Sequence, residues 1–284
     1  MNLSKCIRVL LFFIFSVTCT ENNGSEIENK FIEVEKKNVL HKFVRIDRFT
    51  DHFTQNVFSA WENETFEVFE RVKDPNGIAI DLGAWIGTTA IWLSKNFHHV
   101  IAVDGDRKSV QCLRANLEAS QCPNVTICDK PVMQTTRDII FGPRGHVLNE
   151  SISYAKLYSD NPLDYVTKSI AFKQLIHDTV YAKEELNSHK ISFIKCDIEG
   201  GEENILEDIL HFSFYTKCPV YISFHIPWWT SKKISDFDCL FEYFNVKNAS
   251  VDNISSFLYN NPFSALLLEP KQNTEDLIKK TSHL

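Results

Sequence analysis

Apolar residues in this chain fall into short unbroken runs, and between them lie stretches with helical spacing. Ile78-Ala79-Ile80, Val100-Ile101-Ala102-Val103, Val125-Thr126-Ile127-Cys128, Ile191-Ser192-Phe193-Ile194 and Val220-Tyr221-Ile222-Ser223-Phe224 have the length and β-branched content of buried strands. Trp61 to Val72, Thr88 to Leu93, Ser109 to Ala119 and Glu202 to Leu210 read as helices, and Phe263 to Leu268 as a last strand. Unbroken apolar runs mean strands covered on both faces. With helices between them, this predicts an α/β fold: a Rossmann-like, mainly parallel, doubly wound sheet with right-handed crossovers.

The rhythm breaks over residues 133 to 178. Asp138 to Phe141 and His146 to Ser153 flank Gly142-Pro143-Arg144-Gly145, which reads as a hairpin insertion, and the polar stretch from Tyr158 to Lys168 reads as a loop over the site. Substrate specificity is expected there. At the other end of the chain, Lys5 and Arg8 precede an apolar run from Val9 to Val17, followed by Thr18-Cys19-Thr20. A bilayer span needs about 20 apolar residues, so this shorter run predicts a cleavable signal peptide over residues 1–20. An uncleaved anchor, the one membrane contact considered, ranks second. Residues 21–50 read as a polar spacer and N-terminal extension, with the fold beginning near residue 40. Residues 51–270 form the principal domain and 271–284 a polar tail.

With 284 residues and 44% hydrophobic content, the chain can bury one substantial core. The net charge of −7 and the lack of a Lys/Arg stripe exclude the electrostatic footprint of a nucleic-acid binder. Lys36-Lys37 and Lys279-Lys280 read as solvated charge. Glycosylation acceptor sequences stand at Asn23, Asn63, Asn124, Asn149, Asn248 and Asn253 and acquire meaning in a secretory lumen. Cys112, Cys122, Cys128, Cys196, Cys218 and Cys239 follow the signal, an even number that suits disulfides in an oxidising compartment. Cys128 and Cys196, inside strands, read as small buried apolar residues. No Cys-x-x-Cys pair or Cys/His ligand spacing indicates structural zinc.

In an open parallel sheet, ligands bind beyond the carboxyl ends of the strands. Asp81, Asp104, Asp129, Asp197 and His225 each end one of five successive strands and are expected to converge on one rim. The turn Gly83-Ala84-Trp85-Ile86-Gly87 narrows the cofactor. Dinucleotide sites use a second glycine to admit the pyrophosphate to the backbone, and Trp85 stands at that position. This favours a phosphate-free nucleoside ligand, S-adenosylmethionine, over NAD.

Ile80-Asp81-Leu82-Gly83-Ala84-Trp85-Ile86-Gly87-Thr88-Thr89 resembles the first motif of FkbM-type methyltransferases. Ile194-Lys195-Cys196-Asp197-Ile198-Glu199-Gly200-Gly201-Glu202 resembles their K-x-D-x-E-G-x-E signature, and the resemblance runs from about residue 60 to 268. It implies the class I methyltransferase fold with an antiparallel final strand. It also implies S-adenosylmethionine held by Asp81, Gly83, Ala84 and Gly87 at the turn, by Asp104 at the ribose and by Asp129 at the adenine. Asp129-Lys130-Pro131-Val132 departs from the family's small-residue stretch.

Transfer of a methyl group to oxygen requires alignment and removal of a proton. Asp197, Glu199 and His225 are the candidate catalytic groups, Asp197 first. Glu199 or Glu202 can instead hold local structure, for example by capping the following helix. Asp197, Glu199, Glu202 and Glu203 can also recruit a hard divalent cation, but a metal-free site is preferred, because carboxylates at a helix start commonly partner the helix dipole. Trp228 and Trp229 are candidates for an aromatic wall against a sugar. The expected function is O-methylation of a hydroxyl acceptor such as a glycan in the secretory pathway. A secreted, noncatalytic binding protein with the same fold is the alternative.

Overall fold

The computed structural model describes residues 31–143, 153–156, 159 and 161–272. The signal segment, the start of the spacer, Asn23, Asn149 and the tail beyond residue 272 lie outside the described residues.

The first described element corrects the spacer expectation. β1 (Phe31–Lys36) and β2 (Val39–Val44) form an antiparallel hairpin, turned by Lys37 and Asn38 at φ 47° and 61°. Two successive left-handed residues match the right-handed twist of paired strands. The hairpin belongs to the core: Ile32, Val39 and Phe43 are buried, and so are Lys36 and His41. Those two polar residues interrupt the alternation that would have marked the strands. Lys36 is not solvated. Its Nζ donates to the carbonyls of Phe58, Ser59 and Trp61 and to Asn63 Oδ1, clasping the hairpin to the helical turns that follow, and burial lowers its pKa. The His41 ring lies between the carbonyls of Val39 at 3.0 Å and Thr88 at 3.2 Å, and burial drives its pKa down to about 4.

Short helical turns lead to α1 (Asn63–Val72), which buries Thr65, Phe66, Val68 and Phe69. The sheet then begins: β3 (Ile78–Leu82), α2 (Thr88–Asn96), β4 (His99–Val103), α3 (Arg107–Ala119) and β5 (Val125–Cys128). An antiparallel three-stranded insertion follows, with β6 (Asp138–Pro143) between β7 (Ser153–Lys156) and β8 (Tyr165–Lys168). Part of the expected loop is thus a strand, and Lys156 and Asp164 form an ion pair of 2.9 Å between buried side chains beside it. The sheet resumes with β9 (Ile191–Cys196), α4 (Glu202–Thr216), β10 (Val220–Ser223), β11 (Phe244–Val246), α5 (Ile254–Asn260) and β12 (Ala265–Pro270).

The seven-stranded order is β11-β12-β10-β9-β3-β4-β5. β3, β4, β5, β9 and β10 run parallel, and β12 lies antiparallel between β10 and β11. This is the class I methyltransferase variant of the Rossmann-like fold. β11 was not expected; its three residues, with exposed Asn245 in the middle, are too few to form a pattern. Side chains alternate between two cores. Ile80, Leu82, Ile194 and Ile222 face α4, whereas Ala79, Phe193, Tyr221 and Leu267 face α1, α2 and the N-terminal hairpin. Burial on both faces is why these strands read as unbroken apolar runs.

All six described cysteines are free thiols, so the structure supplies none of the expected disulfides. Cys128 and Cys196 lie in β5 and β9. Asn124 Nδ2 donates to the carbonyls of Ser94, Phe97 and His98, and Asn248 Nδ2 to that of Ala265, so the fold already uses both acceptor nitrogens. Asn63 and Asn253 are exposed. No helix among the described residues is long and apolar enough to cross a membrane.

Candidate active site

β3 ends in a turn whose geometry its residues dictate. Gly83 has φ 80°, and a Cβ there would overlap the carbonyl oxygen of Asp197, so only glycine lets the ends of β3 and β9 meet this closely. Ala84 is buried, and its N–H donates to Val103 O at 3.0 Å. Gly87, at φ 95°, starts α2 against Leu113. Between them Trp85 adopts φ 47°, uncommon for a bulky residue. Its N–H donates to Asp104 Oδ2 at 2.8 Å, and Asp106 N–H donates to Asp104 Oδ1 at 2.8 Å.

Of the five strand-end residues expected at one rim, Asp104 alone lines the cavity there; Asp197 and His225 lie beside the lining residues Ile198, Glu199 and Trp228, and two of the acids are elsewhere. Asp81 is fully buried within β3 and does not line the cavity beyond the strands. Lys195 Nζ lies 3.0 Å from its Oδ1, and Thr89 Oγ1 donates to its Oδ2 at 2.6 Å. Lys195 also donates to Gly83 O at 3.0 Å and lies 3.9 Å from Asp197. Burial pulls the Lys195 ammonium down, but Asp81 and Asp197 more than offset this and its pKa is raised. Asp81 therefore braces the glycine turn from beneath. Asp129 ends the edge strand β5, is exposed, and pairs with Arg114 of α3 at 3.3 Å. Lys130 to Met133 line the cavity in its place.

That cavity, about 350 Å³, opens at the carboxyl ends of β3, β4, β5 and β9. This is where the chain turns from one half of the sheet to the other, the usual ligand crevice of such folds. Gly83 and Asp104, the apolar Met133 and Phe141, and Glu199 and Trp228 are among the residues that line it. Burial pushes the Asp104 carboxyl up to about 6.

Asp197, Glu199 and His225 do come together. Glu199, at φ 56°, and Gly200, at φ 97°, turn the loop after β9 back towards β10. His225 Nε2 lies 3.3 Å from Glu199 Oε2 and 3.8 Å from Asp197 Oδ1, and Nδ1 lies 3.1 Å from Glu202 Oε1. Burial pulls the imidazole down, but the Glu202 hydrogen bond and the Glu199 and Asp197 charges raise it to about 10. Glu202 also accepts from the N–H groups of Ile198 and Gly200 and from Trp229 Nε1. It thus holds the loop and the imidazole together.

Glu203 anchors the next loop, accepting from the N–H groups of Thr230, Ser231 and Lys232, which lowers its pKa against the opposing effect of burial. The two tryptophans separate: Trp228 lines the cavity, stacked 5.0 Å from His225, whereas Trp229 packs on Phe237. Sequence reasoning missed Glu62. It stands ahead of α1 at φ 46°, and burial, then Asp197, push its carboxyl up to about 7. Nothing local in the sequence ties residue 62 to residue 197.

No protein-family model matches the chain, and no curated protein matches it. Among solved structures it is similar to an rRNA methylase from Streptococcus thermophilus, with 12% identity over 74% of this chain and 96% of that one and a TM-score of 0.42. It is similar to methyltransferase FkbM from Methylobacillus flagellatus, with 13% identity over 79% of this chain and 55% of that one and a TM-score of 0.42. A third likeness is to M. jannaschii TYW2 in complex with AdoMet, with 11% identity over 88% of each chain and a TM-score of 0.40. This chain spans about half the length of the FkbM structure. These likenesses assign no family, and the fold class rests on the strand order above.

Proposed function

We propose that this chain is an S-adenosylmethionine-dependent O-methyltransferase of the FkbM type, acting on a hydroxyl acceptor such as a glycan in the secretory lumen. The observation that carries the reading is the hydrogen bond from Trp85 N–H to Asp104. In a dinucleotide site the backbone at the second glycine approaches the pyrophosphate. Here that amide is engaged by a carboxylate and the residue bears an indole, so the crevice has a ribose-type acid but no diphosphate cradle.

The cavity suits a nucleoside: Asp104 faces it as an acceptor for ribose hydroxyls, and Pro131, Met133 and Phe141 offer an apolar wall for a purine. S-adenosylmethionine supplies an activated methyl group on a sulfonium. As the acceptor oxygen bonds to the methyl carbon, the carbon–sulfur bond breaks, its electron pair neutralises the sulfonium, and the hydroxyl proton passes to a base. Asp197, at the end of β9 and 3.8 Å from His225, is assigned that role. Trp228 gives a sugar ring a flat surface. The lumenal compartment rests on the apolar segment at residues 9–17 and on exposed Asn63 and Asn253.

Calorimetric titration of the purified chain tests this reading. Saturable binding of S-adenosylmethionine, weakened at least tenfold in Asp104→Ala and not reproduced with NAD, is expected. A folded protein that binds no S-adenosylmethionine overturns the reading in favour of a noncatalytic binding protein.

A further inference from the structure

The geometry points to a binding site for one divalent transition-metal ion, formed by Asp197, Glu199 and His225 beside the cavity. One ligand atom from each residue lies within 4.8 Å of the other two. Ligand atoms sharing one ion at about 2.0–2.2 Å stand about 3–3.5 Å apart. The separation of His225 Nε2 from Glu199 is already 3.3 Å and that from Asp197 is 3.8 Å, so small side-chain rotations close the set. The ligands come from two elements, the loop after β9 and the end of β10, which the sheet holds side by side.

A second observation is independent of the acidic loop. The other imidazole nitrogen, Nδ1, is engaged 3.1 Å from Glu202, a carboxylate with no solvent exposure that is itself fixed by the N–H groups of Ile198 and Gly200 and by Trp229 Nε1. A carboxylate on Nδ1 fixes the ring and aims Nε2 at Asp197 and Glu199, where a metal ion would take the place of the Nε2 proton. That is the outer-shell arrangement typical of metal-ligating histidines. The charge count agrees: Asp197, Glu199, Glu202 and Glu62 gather here, while the nearby Lys195 is shared with Asp81. One nitrogen and two oxygens suit manganese or zinc better than magnesium or calcium, whose ligands are oxygens. This differs from the metal-free site preferred from the sequence, where the carboxylates of the loop were read as partners of the helix dipole.

Glu199 lines the cavity, so the ion would stand at its wall with coordination positions left for a substrate oxygen or water. Lowering the pKa of such an oxygen is what a metal ion would add to methyl transfer, and only that step rests on the function proposed above.

The test needs neither cofactor nor acceptor. Full-length protein, freed of metal by chelation, is titrated with Mn²⁺ and followed by electron paramagnetic resonance. One Mn²⁺ per chain, displaced by Zn²⁺, is expected, with affinity reduced at least tenfold in both His225→Ala and Glu199→Gln. Glu202→Gln, a change to the positioning residue alone, is expected to weaken binding about 10–100-fold, whereas exposed Glu118→Gln leaves it unchanged. Circular dichroism establishes that each variant is folded. Absence of stoichiometric Mn²⁺ binding, or binding indifferent to both His225→Ala and Glu199→Gln in folded protein, overturns the site. Neither result bears on whether S-adenosylmethionine binds.

Discussion

Replacing Lys195 with methionine keeps an unbranched side chain one atom shorter and removes its charge, which isolates what the ammonium does at the glycine turn. Asp81 is fully buried, and Lys195 is the cation 3.0 Å from its Oδ1; the other oxygen has the hydroxyl of Thr89. Removing one partner of a buried ion pair leaves an uncompensated charge and costs about 3–5 kcal/mol. Against a typical domain stability of about 5–15 kcal/mol, Lys195→Met is expected to lower the urea midpoint markedly with an unchanged slope, read by tryptophan fluorescence. Asp81→Asn keeps the Thr89 partner and leaves Lys195 its bond to Gly83 O, so its cost is smaller, about 1–3 kcal/mol. The double variant Asp81→Asn/Lys195→Met buries no unpaired charge and is expected to be more stable than Lys195→Met alone. A Lys195→Met protein within about 0.5 kcal/mol of wild type, or a double variant whose loss equals the sum of the two single losses, refutes the brace.

His41 takes up a proton near pH 6.5 when the chain is unfolded but not until about pH 4 when folded, so stability falls as the pH drops between those values. The loss is about 3 kcal/mol, and denaturation midpoints of His41→Leu measured from pH 7 to 4 are expected to fall less than those of wild type. Asp104→Ala is expected to weaken S-adenosylmethionine binding at least tenfold, whereas Asp197→Asn spares binding and lowers turnover; calorimetry and single-turnover kinetics separate the two, and the reverse pattern overturns the roles. Glu203→Ala releases the N–H groups of Thr230, Ser231 and Lys232. Trypsin is therefore expected to cleave after Lys232 or Lys233 several times faster than in wild type, and equal rates would show that the loop is held by other contacts.

The fold was legible wherever burial follows chain order. β3, β4, β9 and β10 announce themselves because both faces of each are covered, the half-buried edge strand β5 because it is β-branched and apolar, and the glycine turn because it interrupts an apolar run. The N-terminal hairpin was not legible, since Lys36 and His41 occupy inward positions that acceptors 22 to 47 residues away make tolerable. The same distance effect governs the site. Asp197 and Glu199 are local to a motif and could be named from it. Glu62 joins them only because α1 is preceded by a left-handed turn, and His225 meets Glu202 only because β9 and β10 are neighbours in the sheet.

Asp81 and Asp104 show how position at a strand end can mislead. Both are acids flanking the glycine turn, and both were read as cofactor ligands. The side chain of Asp81 lies buried on the α2 face of the sheet, where Lys195 links it to Gly83 O and to Asp197, while Asp104 lines the cavity. Loss of ligand binding in an Asp81 variant therefore has two sources that a titration cannot separate: a lost contact, or a displaced turn. The linkage runs in a known direction, from Asp81 through Lys195 to the turn. A variant at Asp81 that weakens ligand binding should thus also lower stability, and an Asp104 variant should weaken binding with a smaller change in unfolding, because it deprives the N–H groups of Trp85 and Asp106 of a partner but leaves no buried ammonium unpaired. Measuring both quantities on both variants assigns each acid to the turn or to the ligand, and an Asp81 variant that loses binding at full stability would return that residue to the ligand.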